Sequence, residues 1–225
     1  MIIYTANYGN YDKLTSVPYD CVKNIKTNCW NICYTDDTSC VEGTDWNAYR
    51  TERYGCDNFN AKKAKWIGWK NFHRRRNQNY LYIDANCEVV GDLSELDDYL
   101  TQSQIVLHTR KHNNRYNIWE EFQACVAQKK GHITQLTDYV NREYMHIGAN
   151  EPSPVYENGI IAFSGSALCG QYKQYKEFTE KIAHRLRVCG RDQLILPALA
   201  EDNNIEIGTF NDIVNKVIRI RKKHG

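Results

Sequence analysis

Asp84, Ala85 and Asn86 close the stretch NYLYIDAN, in which an apolar run ends on a carboxylate, one small residue and an amide. A metal ion that bridges a diphosphate needs hard oxygen ligands and open positions for phosphate oxygens and water. Residues i and i+2 of a strand point the same way, so Asp84 and Asn86 present their oxygens side by side wherever strand geometry persists through Ala85. Ala85 leaves room for a ligand. Asn86 contributes only a neutral carbonyl oxygen, weaker than a carboxylate, and Glu88 is the next oxygen on the same side. On this reading Asp84 and Asn86 hold a metal ion, with His224 in the basic tail as a further ligand. On the plainer reading the same residues cap a strand end.

A diphosphate also needs positive charge opposite it. Lys62, Lys63 and Lys65 precede the Asp84 strand, and the tail from Arg219 to His224 is basic, as is Arg74-Arg75-Arg76. Either basic run holds phosphates or lies as a solvated surface. Asp192 stands between Arg191 and Gln193 after Cys189-Gly190. It either caps a helix or, placed in a crevice, orients an acceptor hydroxyl and accepts its proton. Gln193 is suited to a sugar hydroxyl. Glu157, beside a glycine turn, is the other isolated carboxylate and serves as base or sugar ligand. The polar group His112 to Arg115 suits sugar hydroxyls. Glu120 and Glu121 open a helix, where carboxylates are favourable in any case. As neighbours they face different directions, so at most one enters a crevice with ease. Trp66, Trp69 and Trp119 are stacking faces or core.

These residues need elements to hold them. Ile2 to Thr5, Trp30 to Thr35 and Tyr80 to Ile83 read as strands, the last central because both its faces carry large side chains. A short helix is expected around 19–27, a loop over 38–58 and a helix over 60–72. Asp92 with Glu95 forms a predicted capping box. A strand over 104–108, helices over 118–130 and 133–147, and a strand over 157–163 follow. Helices at about 170–188 and 192–202 then lead to short strands. This alternation builds a mostly parallel sheet covered on both faces, with its ligand crevice at the carboxyl ends of the strands. Thr5-Ala6-Asn7, Asp36-Asp37 and Asp84-Ala85-Asn86 all fall there.

The 225 residues, 42% apolar, suffice for one generous domain, read as a nucleotide-binding half of about 1–110 and an acceptor half of about 111–225. Lys+Arg 29 against Asp+Glu 27 gives no chain-wide electrostatic argument for a nucleic-acid partner. No stretch approaches the ~18 to 20 apolar residues of a transmembrane span. The start, MIIYTANYGN, lacks the basic segment and apolar core of a signal peptide. Nine irregularly spaced cysteines are not a secreted disulfide framework, and no Cys-x-x-Cys pair marks a zinc site. Cys87 and Cys125 read as small core residues. A cytoplasmic setting is the expectation.

The segments YTANYGNYDKL (4–14), AKKAKW (61–66), YLYIDAN (80–86), KHNNRYNIWEE (111–121), ENGIIAF (157–163) and RDQLILPAL (191–199) occur in this order along the chain. Together they resemble a glycosyltransferase-like family with plant and bacterial members, which includes pectin-related hexosyltransferases. The resemblance implies a GT-A fold, α/β with a Rossmann-like, mixed and mostly parallel sheet flanked by helices. It also implies a nucleotide-sugar donor, UDP-linked, with a glycan or other hydroxyl acceptor and Mn²⁺. By resemblance Thr5 and Ala6 approach the base, Asp36 the base or ribose, Lys65 the phosphates, and Asp84 with Asn86 the metal. Glu157 and Asp192 face the transferred sugar and acceptor, and Asp192 is the first choice of base for an inverting reaction. Asn86 departs from the family's second aspartate. A noncatalytic carbohydrate-binding protein of the same fold and a sugar nucleotidyltransferase are the alternative functions.

Overall fold

The computed structural model describes residues 1–72, 78–147 and 151–221. Arg74, Arg75, Arg76, Lys222, Lys223 and His224 lie outside the described residues. Nine strands and eight helices run in the order β1 (Ile2–Ala6), α1 (Tyr19–Val22), β2 (Trp30–Thr35), β3 (Asn47–Arg50), α2 (Asp57–Ile67), β4 (Tyr80–Ile83), β5 (Cys87–Val89) and α3 (Ser94–Gln102) among the described residues. They continue with β6 (Leu107–Lys111), α4 (Ile118–Ala127), α5 (Ile133–Tyr144), β7 (Tyr156–Phe163), α6 (Gly165–Cys189), α7 (Asp192–Asp202), β8 (Ile207–Thr209), α8 (Asn211–Val217) and β9 (Ile218–Ile220).

Seven strands form one sheet in the order β3-β2-β1-β4-β7-β6-β8, and β5 pairs with β9 in a small antiparallel ribbon. Among the described residues, only β7 runs against its neighbours in the large sheet. The architecture is α/β, with a mixed, mostly parallel sheet flanked by helices.

Side chains alternating along the strands divide the core in two. Ile2, Tyr4, Tyr80, Tyr82, Ile161 and Phe163 pack on one side with α2 and the α4 to α7 helices. Met1, Ile3, Leu81, Ile83, Ile160 and Ala162 pack on the other with α3 and α8. Every residue of β1 and β4 is buried, as sheets covered on both faces require. Trp66 and Trp69 belong to the core and are fully buried, while Trp119 is partly buried and donates to the Ile147 carbonyl at 3.1 Å. Cys87 and Cys125 are buried as expected.

Several local expectations need correction. The 38–58 stretch contains a 3-10 turn at Thr38–Val41 and the exposed edge strand β3, whose pairing with β2 was not visible as periodicity. Helix α2 begins at Asp57 and passes at Gly68 into a 3-10 turn that runs to Phe72. No capping box forms before α3: Leu93 is the N-cap, Asp92 Oδ1 accepts from the Ser94 N–H, and Glu95 faces Lys216 at 3.6 Å. Helix α6 begins at Gly165, capped by Ser164, and Gln171 leaves helical geometry, so periodicity was legible only beyond that kink. No helix among the described residues is long and apolar enough to cross a membrane.

Candidate active site

The carboxyl ends of β1 and β4 open into a cleft of about 760 Å³. Antiparallel β7 brings its amino-terminal half to the same edge. Ile160 pairs with Ile83, and the Asp84 N–H donates to the Gly159 carbonyl at 2.8 Å. Arg110 at the end of β6 pairs with Glu157 in the same way. The first turn of α7 closes the far wall with Arg191, Asp192 and Gln193.

Lys65 is the centre of this arrangement. Its Nζ lies 3.2 Å from Asp84 Oδ1 and 3.3 Å from Asp192 Oδ2, with the Tyr82 ring 5.2 Å away. The Tyr82 hydroxyl donates to Asp84 Oδ1 at 2.8 Å, and Trp66 Nε1 donates to Asp192 Oδ2 at 3.3 Å. Burial alone would lower the Lys65 pKa, but Asp192 and Asp84 outweigh it and raise the ammonium above its ordinary value. Burial pushes Asp192 upward, yet Lys65, Lys62 and Arg191 overcome that and hold its carboxyl at about 2. Lys62 behaves oppositely. Burial takes it down to about 8 against the pull of Asp192, and its ammonium donates to the Gly190 carbonyl.

Asp84 and Asn86 do not continue the strand. The Cys87 N–H donates to the Asp84 carbonyl at 2.8 Å, so Asp84 to Cys87 is a tight turn, and the same-side argument from strand geometry does not apply. Both residues nonetheless line the cleft. Asp84 Oδ2 faces Gly159, where a Cβ would stand only 3.0 Å away, so glycine keeps that oxygen clear. Glu88 points elsewhere and pairs with Arg219, its Oε1 accepting from Nε at 3.1 Å. Among the described residues no three His, Cys, Asp or Glu side chains gather as a metal cage. Asp84 Oδ1 already accepts from Tyr82 and faces Lys65, and Asn86 Oδ1 accepts from Cys87 Sγ at 3.8 Å, so Asp84 Oδ2 is the carboxylate oxygen open to an ion that would take most of its ligands from phosphate and water.

The other expected residues divide between cleft and support. Ala6, His112, Arg115, Glu157, Arg191 and Gln193 line the cleft with Lys65 and Asp192. Thr5 is fully buried and does not line it. Asp36 accepts from the Gly9 N–H at 3.0 Å and faces Arg53, thereby holding the loop after β1. Glu120 accepts from the Tyr116 N–H at 2.7 Å beside the Asn117 cap of α4. Glu121 is 1% exposed and sits behind the wall, paired with Arg115 and 3.8 Å from Arg191. His112 is 3.7 Å from Glu157; burial and Arg115 lower its pKa.

Sequence reasoning missed Arg110, which lines the cleft at the end of β6, whereas Asn7 and Arg221 lay within stretches it had singled out. Asn7 clasps residue 12, donating to its carbonyl at 2.7 Å and accepting from its N–H at 3.2 Å. Arg221 donates to the Ala85 carbonyl at 2.8 Å, against the Asp84 turn. A charge ending the apolar run QIVLHTR was a signal for Arg110.

No protein-family model matches this sequence, and no curated protein is similar to it in sequence. Solved structures do match. WbbM, a bifunctional glycosyltransferase determined in its apo form, aligns at a TM-score of 0.51 and 10% identity, covering 93% of this chain. The likeness is one of fold. The chain spans 38% of the length of WbbM, and the matched portion shares the α/β architecture described above.

Proposed function

We propose that this chain is a GT-A-type glycosyltransferase, related to the glycosyltransferase-like family its ordered segments resemble. It moves a hexose or related sugar from a UDP-linked donor to a hydroxyl of a glycan acceptor. One observation carries the reading: Lys65, buried between Asp84 and Asp192, stands at the strand ends of a cleft large enough for a nucleotide sugar. The fold likeness to WbbM supports it.

In this reading Ala6 lies near the base, while Thr5 and Asp36 shape the base and ribose end from behind. Lys65 faces the phosphates. Asp84 and Asn86 would hold Mn²⁺ or Mg²⁺, with His224 as a further ligand; bound there, the ion stabilises negative charge on the departing diphosphate. The acceptor oxygen attacks the anomeric carbon, the bond from that carbon to the phosphate oxygen breaks, and the nucleoside diphosphate leaves with the electron pair. Asp192, held at about 2, is a poor proton acceptor near neutrality and serves to fix Lys65 and a sugar hydroxyl. Glu157, half-buried between Arg110 and His112, is the base that takes the acceptor proton in an inverting reaction. Gln193 binds a sugar hydroxyl, and His112, Arg115 and Arg191 bind sugar or acceptor groups. Nine free thiols fit a reducing, cytoplasmic compartment.

The deciding experiment incubates the protein with a panel of nucleotide sugars and Mn²⁺, with mass detection of products. Release of a nucleoside diphosphate, abolished by Asp84→Ala, is the expected result. Release of pyrophosphate in a donor-forming reaction indicates a nucleotidyltransferase. Glycan binding with no nucleoside diphosphate binding sinks the transferase reading.

A further inference from the structure

A second cavity, of about 470 Å³, opens beside the cleft between the start of α2 and the carboxyl end of α6. Asn58 and Lys62 line both spaces, so the two are continuous along α2. Lys65 stands in the cleft wall, Lys62 one helical turn before it and Asn58 one turn before that, about 10 Å along the axis from Lys65. At the α6 end Gly190 lines the second cavity, while Arg191 and Asp192, which follow it, line the cleft. No step of the transfer described above uses this branch.

Its lining combines apolar surface with hydrogen-bonding groups. Phe59, Val188 and Tyr54 supply the apolar part, and Tyr54 is 56% exposed despite its large ring. That ring is held in place. The Tyr54 N–H donates to Asn60 Oδ1 at 3.1 Å, the hydroxyl donates to Glu52, and Lys63 Nζ stands 5.3 Å from the ring centroid. Asn58 and Gln135 bring amides, and Lys62 donates to the Gly190 carbonyl with no second acceptor among the described residues. No side chain of this lining has a buried polar atom left without a partner among the described residues, so nothing here demands an ion. A presented aromatic ring beside polar groups that solvent can reach suits a neutral ligand with apolar faces and a rim of hydroxyls, which describes a sugar ring.

Resting on the transferase reading above, we infer that this cavity is an acceptor subsite, holding a neutral sugar residue against Tyr54 at a distance from the hydroxyl that is glycosylated. The acceptor is then an oligosaccharide, because one ring at the Lys65 array does not also extend past Asn58.

Titration calorimetry on the full chain tests the assignment, first with UDP and Mn²⁺, then with neutral glucose-, mannose- and galactose-based oligosaccharides of one to four residues added to the UDP-saturated protein. At least one series is expected to bind at least tenfold tighter as a trisaccharide than as a monosaccharide. Tyr54→Ala should remove about a tenfold gain, as the loss of one aromatic contact implies, whereas Tyr54→Phe keeps the ring and should keep the gain. UDP affinity should stay within about twofold in both variants, because Tyr54 does not line the cleft. Gln135→Ala should weaken trisaccharide binding and spare the monosaccharide, a split that a folding defect does not produce. With UDP bound normally, the absence of any length dependence, or a length dependence untouched by Tyr54→Ala and Gln135→Ala, overturns the inference while the transferase reading stands. Oligosaccharide binding that depends on Tyr54 in a protein that binds no UDP overturns the acceptor role together with that reading. If inorganic phosphate binds in place of every oligosaccharide and is lost in Arg187→Ala, the cavity is an anion site and the inference is wrong.

Discussion

Lys65 is stabilised by two carboxylates and in turn favours the charged form of the buried Asp192. Removing one member of a buried ionic group leaves the others uncompensated, at a cost of about 3 to 5 kcal/mol. Lys65→Met is therefore expected to lose about 3 kcal/mol in urea unfolding, because Asp192 is buried while Asp84 keeps partial access to water. Asp192 supplies a pH dependence of definite sign. Its pKa is lowered from 3.8 to about 2 on folding, so its stabilisation is complete above about pH 4 and is lost as pH falls through 2. The urea midpoint should fall more steeply over that interval in the wild type than in Asp192→Asn. Lys62 has the reverse logic. Folding lowers it from 10.5 to about 8, so the cost of burying its charge is fully present below pH 8 and is relieved as pH rises toward 10.5. Lys62→Met should be the more stable protein at pH 7, and its advantage should shrink by pH 10.

At the scale of elements, the junction from β7 into α6, at the end of the sheet opposite the cleft, is closely packed against the chain entering β4. A Cβ on Gly165 would stand 2.2 Å from the carbonyl oxygen of residue 78, which leads into β4. Backbone cannot yield there as a side chain would. Gly165→Ala should cost about 1 to 3 kcal/mol by overpacking and displace the start of α6. Ser164 caps the same helix, accepting from the Ala167 N–H at 3.3 Å, and Ser164→Ala should cost about 1 kcal/mol. Chemical denaturation measures both, and donor binding by the refolded variants should be retained because neither residue lines the cleft. The presence of β4 and β7 was plain from their apolar runs. Their pairing was not, since hydrogen-bond register joins residues almost eighty positions apart and leaves no mark on either run.

The whole molecule is organised around that pairing. Strand β7 lies between β4 and β6, so residues 1–110 alone would expose one edge of β4 and lose most of the buried residues on the face covered by α4 to α7. A fragment of those residues should show no cooperative thermal transition by circular dichroism, whereas the intact chain should. A ligand that binds only the folded chain raises its stability by mass action, about 2.7 kcal/mol at a hundredfold excess over Kd. Saturating UDP should accordingly raise Tm by several degrees in the wild type and not in Asp84→Ala.

Composition and pattern by themselves determined the α/β class, the buried central strand at Tyr80 to Ile83, and the polar residues at the strand ends. These follow from periodicity, because alternating or continuous burial must be written into neighbouring residues. Tertiary structure alone decided which polar residues meet. Lys65 reaches Asp192 across 127 positions, Gly159 clears a space beside Asp84, and Glu121 withdraws behind Arg115 and Arg191. Charge pairing depends on distance and burial in space, and neither quantity has a period along the chain. The turn at Asp84 to Cys87 shows the same division. Its residue types announced a polar strand end, but only its hydrogen bond showed that the strand had already stopped.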